Sequence, residues 1–85
     1  MISPRQMRAG RGLLGWSQRR LSERSGVAIA AVQRAEAGDV ETRPRTMKAL
    51  RQAMEAEGVV FLPESDAEGE GVRLAKPDAV ARGAG

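Results

Sequence analysis

The sequence predicts a mainly α domain: four short helices of the helix-turn-helix kind, followed by a small β-hairpin. Three observations predict it. Helix starts and stops recur along the first 58 residues, with Ser3, Ser17 and Pro44 at starts and Gly15, Gly26, Gly38 and Gly58 at stops. Met47, Leu50 and Met54 recur at i, i+3 and i+7, one buried helical stripe. After Gly58 the pattern shifts to two short β-type runs, "VVFL" and "VRLA", around the polar "PESDAEGEG".

The first helix is expected over Ser3 to Leu14, with Ser3 as cap and Pro4 in the first turn. Met7, Leu14 and either Ala9 or Leu13 give its apolar face. Gly10 and Gly12 weaken it, each by about 1 kcal/mol relative to Ala. No strand precedes these glycines and no GK[ST] follows, so they form no phosphate loop. Ser17 caps a second helix that runs through "QRRLSERS" to Gly26. A third covers about Ala28 to Ala37 and stops at Gly38. After the loop "GDVETR", Pro44 opens a fourth that lasts to about Glu57. Residues 1–58 thus form the domain, 59–75 a hairpin packed on it or on a partner chain, and 76–85 a disordered tail.

Composition narrows the function classes. The chain has 85 residues, enough for one small domain. It has no cysteine and no histidine. That removes disulfides, thiolate and imidazole metal ligands and the commonest general base, so neither catalysis nor a cofactor is expected. Glu64, Asp66, Glu68 and Glu70 lack the spacing of a calcium loop and read as a solvated turn. No apolar run approaches membrane-spanning length and no signal peptide is evident, so a cytoplasmic protein without membrane contact is expected. Charge is segregated. Residues 1–54 hold eleven Lys or Arg against four Asp or Glu, and residues 55–85 hold three against seven. A basic face for an anionic partner follows.

Two short helices joined by a glycine turn make a helix-turn-helix, and its demands are met in order. Leu21 points inward and Ser22 is small where the helices cross. Gly26 supplies a positive φ, Val27 plugs the core and Val32 packs back near Ser22.

Across "RGLLGWSQRRLSERSGVAIAAVQRAEAG" the chain resembles the lambda-repressor-like, Xre/Cro-type DNA-binding domains of bacteria and phages. "LLGWSQ", "LSERSGV" and "EAG" carry most of the likeness, and the later "RPRTMKALRQAMEAEGVVFLPE", "GVRL" and "KP" are similar to a compact subgroup with a terminal hairpin. The resemblance implies double-stranded DNA as partner, with the third helix laid in the major groove. Its groove-facing positions fall on Ala28, Ile29, Ala30, Gln33 and Arg34. Gln18 matches a residue that contacts the DNA backbone and supports the recognition residues, and Arg11 and Glu36 match a partly buried ion pair. The loop from Gly38 to Arg45 and the start of the fourth helix match backbone-contacting segments.

Four positions depart from the family pattern. Ala28 stands where Ser or Thr usually caps, Ile29 and Ala30 are apolar where the family is polar, and Ala35 is small for a core position. Ile29 and Ala30 suit thymine methyls, Arg34 the O6 and N7 of guanine, and Gln33 adenine. Ser17, Arg19, Arg20, Arg43 and Arg45, with Arg5, Arg8 and Lys48, are candidate contacts to the DNA backbone. Trp16 reads as packing at a helix junction.

The function expected is a sequence-specific transcriptional regulator, a repressor that occupies promoter DNA in the nucleoid as a homodimer. Val60, Phe61 and Leu62 are the expected dimer interface, because two four-residue strands do not stand alone in water. Two alternatives remain: a protein–protein adaptor that buries the apolar third helix in a partner, and an antitoxin-type protein that binds DNA and a toxin.

Overall fold

The computed structural model describes residues 1–77, and the remainder of the expected tail lies outside the described residues. Four helices, α1 (Pro4–Leu14), α2 (Gln18–Ser25), α3 (Ile29–Glu36) and α4 (Pro44–Glu55), precede two strands, β1 (Val59–Leu62) and β2 (Gly71–Leu74). The expected order of elements is the order found. The third helix is shorter than expected: Ala28 and Ala37 are its caps, not its members. The fourth closes at Glu55, with Ala56 as cap.

The starts and stops act as the sequence implies. The Ser3 hydroxyl accepts from the Gln6 backbone amide, and the Gln6 side-chain oxygen accepts from the Ser3 backbone amide, a reciprocal capping box. Ser17 accepts from the Arg20 amide at 3.0 Å. Gly15 and Gly26 close their helices in the left-handed conformation, at φ 67° and 75°.

The core joins the four helices and β1 through Met7, Leu21, Val32, Leu50, Met54 and Val59, each at most 2 % exposed. Ile2, Ala35 and Met47 complete it. The stripe of α4 is buried as expected. On α1, neither Ala9 nor Leu13 joins the buried face. Gly10 takes that place, between Met7 and Leu14 at helical spacing. A Cβ built on Gly10 would lie 2.9 Å from the Met54 sulfur and 3.3 Å from the Phe61 ring. The absence of a side chain there lets the hairpin and α4 close onto α1.

The hairpin is antiparallel, with Val59 opposite Leu74 and Phe61 opposite Val72. Opposed residues share a sheet face, so Val59, Phe61, Val72 and Leu74 form one apolar face, and all four pack on the core. Val60, Leu62, Gly71 and Arg73 form the other. Gln6 fixes the hairpin at its loop end. Its side-chain amide donates to the Leu62 carbonyl at 2.9 Å and the Gly71 carbonyl at 3.0 Å. The Ser3 hydroxyl bonds Glu70, which also lies 3.6 Å from Arg5.

Candidate nucleic-acid interface

The turn between α2 and α3 is built by side chains as well as by Gly26. The Ser22 hydroxyl donates to the Val27 carbonyl at 2.6 Å, and the Val27 amide donates to the Ser25 hydroxyl at 3.2 Å. Ser22 therefore does more than leave room for a helix crossing: it bonds the far side of the turn. Leu21 and Val32 are fully buried across it, with Val27 packed beside them. This sets α3 with Val32, Ala35 and Glu36 inward and Ile29, Ala30, Gln33 and Arg34 exposed. Ala28, the cap, is exposed too and makes no side-chain bond to the first turn. The five expected groove-facing positions are thus brought to one solvent-facing surface.

Below that surface, Glu36 is held from two helices. Arg11 engages its carboxylate with two bonds, Nε to Oε2 at 2.6 Å and Nη2 to Oε1 at 2.8 Å. The Gln18 amide donates to Oε1 at 3.1 Å. Arg11 also donates to the Trp16 carbonyl at 3.0 Å, so one guanidinium joins α1, the α1–α2 turn and α3. Burial pushes the Glu36 carboxyl up. The bonds from Arg11 and Gln18, with the charges of Arg11 and Arg8, pull harder and hold it below the usual carboxylate range. The Arg11 guanidinium is raised in turn, by its bond to Glu36 above all.

The basic residues divide by partner. Arg19, Arg34, Arg43, Arg45 and Lys48 have no carboxylate partner among the described residues. Arg34 and Arg43 line one open cleft of about 290 Å³ with Ala31, Glu41, Thr42 and Thr46. The residue sequence reads as a base contact and a residue read as a backbone contact thus meet at one edge of α3. Arg43 precedes α4 without capping it, and no acidic residue stands in the first turn of α4. Arg20 lies within 3.8 Å of Glu23 at the surface. Arg5 lies at the surface 3.6 Å from Glu70, and Arg8 donates to the Glu36 backbone carbonyl. Trp16 packs on the core with the Arg24 guanidinium 5.4 Å from its ring centre.

The family model described as helix-turn-helix, HTH_3, matches residues 7–57. The chain belongs to the Xre/lambda-repressor-like helix-turn-helix family. The match begins inside α1 and ends just past α4, so it holds the Glu36 network, the α2–α3 turn and the loop before α4, and leaves the hairpin outside. No curated protein matches the chain. Membership makes it a DNA-binding regulator in general terms. No group of three His, Cys, Asp or Glu able to hold a metal occurs among the described residues. Among the described residues no helix is long and apolar enough to cross a membrane.

Sequence reading missed what two residues do here: Gln6, which it does not single out, and Arg8, which it takes only as a candidate contact to the DNA backbone. Gln6 had a signal, since "SPRQ" is a capping-box pattern, but its second role as hairpin clamp depends on tertiary placement. Arg8 had none, because its position on an exposed helix face looks like that of any surface cation.

Proposed function

We propose that this protein is a sequence-specific transcriptional repressor that works in the cytoplasm on the nucleoid, as a homodimer with one α3 in each of two adjacent major grooves. The exposed face of α3 carries the reading. It offers Ala28, Ile29, Ala30, Gln33 and Arg34 with no acidic side chain among them, flanked by Arg43, Arg45 and Lys48, which have no carboxylate partner among the described residues. Ile29 and Ala30 meet thymine methyls, Gln33 suits adenine, and Arg34 reads guanine. Gln18 and Ser17, at the start of α2, with Arg19, Arg20, Arg43 and Arg45, hold the DNA backbone. The same three apolar residues suit a protein groove as well, but the surrounding cations favour DNA over an adaptor role.

In the dimer, the hairpin's outer face meets its counterpart through Val60 and Leu62, the latter 37 % exposed. Phe61 packs on Gly10 of its own chain and supports that face from within. Two copies would then read half-sites about one helical turn apart.

Selection of bound duplexes from a random pool tests the reading. Against the selected site, Arg34→Ala is expected to cost about 1–3 kcal/mol and to relax preference at one base pair. Arg19→Ala should weaken all duplexes alike and lower the salt slope by about one. A pool that yields no preferred sequence, or binding indifferent to salt, overturns the assignment.

A further inference from the structure

Arg8 is the one basic residue of α1 whose guanidinium reaches the backbone of the recognition helix. We propose that Arg8 is a positioning residue for DNA recognition: it holds the C-terminal end of α3 in place and does not bind phosphate.

The helix it serves is weak at both ends. α3 has only eight residues and no side-chain bond at its N-cap. A helix that short is marginal without help. At its other end the last carbonyls have no intrahelical donor. Three of them find backbone donors just beyond: Ala37 donates to Gln33 at 3.0 Å, Gly38 to Ala35 at 3.2 Å and Asp39 to Arg34 at 3.0 Å. The Glu36 carbonyl finds no backbone donor among the described residues. Arg8 supplies it. A cation there also opposes the negative end of the helix dipole.

Arg8 and Arg11 stand three residues apart on α1, so they share a face. They divide one residue between them, Arg8 taking the Glu36 carbonyl and Arg11 its carboxylate. The polar grip of α1 on α3 is therefore at its C-terminal turn. The N-terminal turn, with Ala28, Ile29 and Ala30, is placed by the α2–α3 turn and the buried Val32, and its orientation depends on that anchor at the far end. Loosening the anchor shifts every groove-facing side chain together, which harms a fitted site more than unspecific contact with phosphates.

The inference rests on the DNA-binding reading for its consequence, but its structural part is tested without DNA. Hydrogen exchange on the free protein is expected to quicken at the Ala37, Gly38 and Asp39 amides of Arg8→Ala by about threefold to tenfold, with α2 amides unchanged. Arg8→Lys, which keeps a cation and a donor, should restore most of the protection. Binding is then measured below the unfolding range, on the duplex selected from a random pool and on an unrelated duplex of equal length. Arg8→Ala should lose about threefold to tenfold on the selected duplex and under twofold on the other, with the salt slope unchanged. Equal loss on both duplexes, with a slope smaller by about 0.9, makes Arg8 a phosphate contact and overturns the proposal. Unchanged exchange at the three amides overturns it as well. A wild type that binds no DNA would defeat the DNA-binding reading, while the exchange result would still judge Arg8 alone.

Discussion

Gly10→Ala and Gly12→Ala are the same change two residues apart on α1, and they are expected to have opposite signs. By propensity alone each should stabilise the helix by about 0.8–1 kcal/mol, because alanine loses less backbone entropy and suits a helix interior. At Gly12 nothing among the described residues lies within 4 Å of the new methyl, so that gain stands undiminished. At Gly10 the methyl would sit 2.9 Å from the Met54 sulfur and 3.3 Å from two carbons of the Phe61 ring. Met54 is fully buried, and Phe61 packs on the core, so neither moves alone. Inserting a methyl into a filled core costs about 1–3 kcal/mol, which exceeds the propensity gain through most of that range. Gly10→Ala should therefore lose about 1 kcal/mol net, while Gly12→Ala gains nearly as much.

Thermal unfolding separates the two easily. In a domain of this size 1 kcal/mol moves the midpoint by about 4–8 °C, so the variants should melt roughly 10 °C apart on either side of the wild type. Urea unfolding at constant slope gives the same comparison as free energies. If Gly10→Ala stabilises as much as Gly12→Ala does, the hairpin and α4 do not close on α1 as described. The roles of Phe61 and Met54 would then have to be redrawn.

The remaining expectations concern α3 and its anchor. Glu36→Ala should destabilise by about 2–4 kcal/mol, since it strands a mostly buried guanidinium, and Arg11→Ala with Glu36→Ala should cost less than the two single changes summed; strict additivity in urea unfolding would rule out the contact. Because the Glu36 carboxyl titrates lower folded than unfolded, its share of stability is present above the unfolded value and is lost as pH falls through the folded one. Wild type should therefore lose stability on acidification more steeply than Glu36→Gln, and parallel pH profiles would contradict that sign. Ala28→Ser should supply the missing cap and raise stability by about 1 kcal/mol, seen as a higher melting midpoint. Phe61→Asp should unfold the domain, because it puts a carboxylate into the apolar hairpin face that packs on the core; a variant that keeps the wild-type melting midpoint would place Phe61 elsewhere.

What the sequence discloses about this molecule follows from how local each cause is. Caps and stops are local: Ser3, Ser17, Gly15 and Gly26 act within a few residues of themselves, and each does in the structure what its type implies. The stripe of α4 is legible because its period lies within one helix. The Arg11–Glu36 pair spans α1 and α3, and nothing in the spacing of those two residues announces it. It was reached through the family resemblance, and the structure brings the two together. Gly10 and Gln6 lie beyond local reading for the opposite reason. Propensity marks Gly10 as a defect in α1, whereas the approach of Met54 and Phe61, more than forty residues away, makes it the contact point of the domain. Gln6 reads as a capping residue, and its amide is also spent on two hairpin carbonyls. The groove-facing residues are legible as positions because exposure on α3 follows from the burial of Val32 and Ala35. Their chemistry at DNA is set by which base edges they meet. A helix whose first turn offers only Ala28, Ile29 and Ala30 has little to hydrogen-bond with there, so the proposed base reading assigns discrimination to Gln33 and Arg34 and to methyl contacts. That places the burden on the orientation of α3, and hence on the residues that grip its last turn.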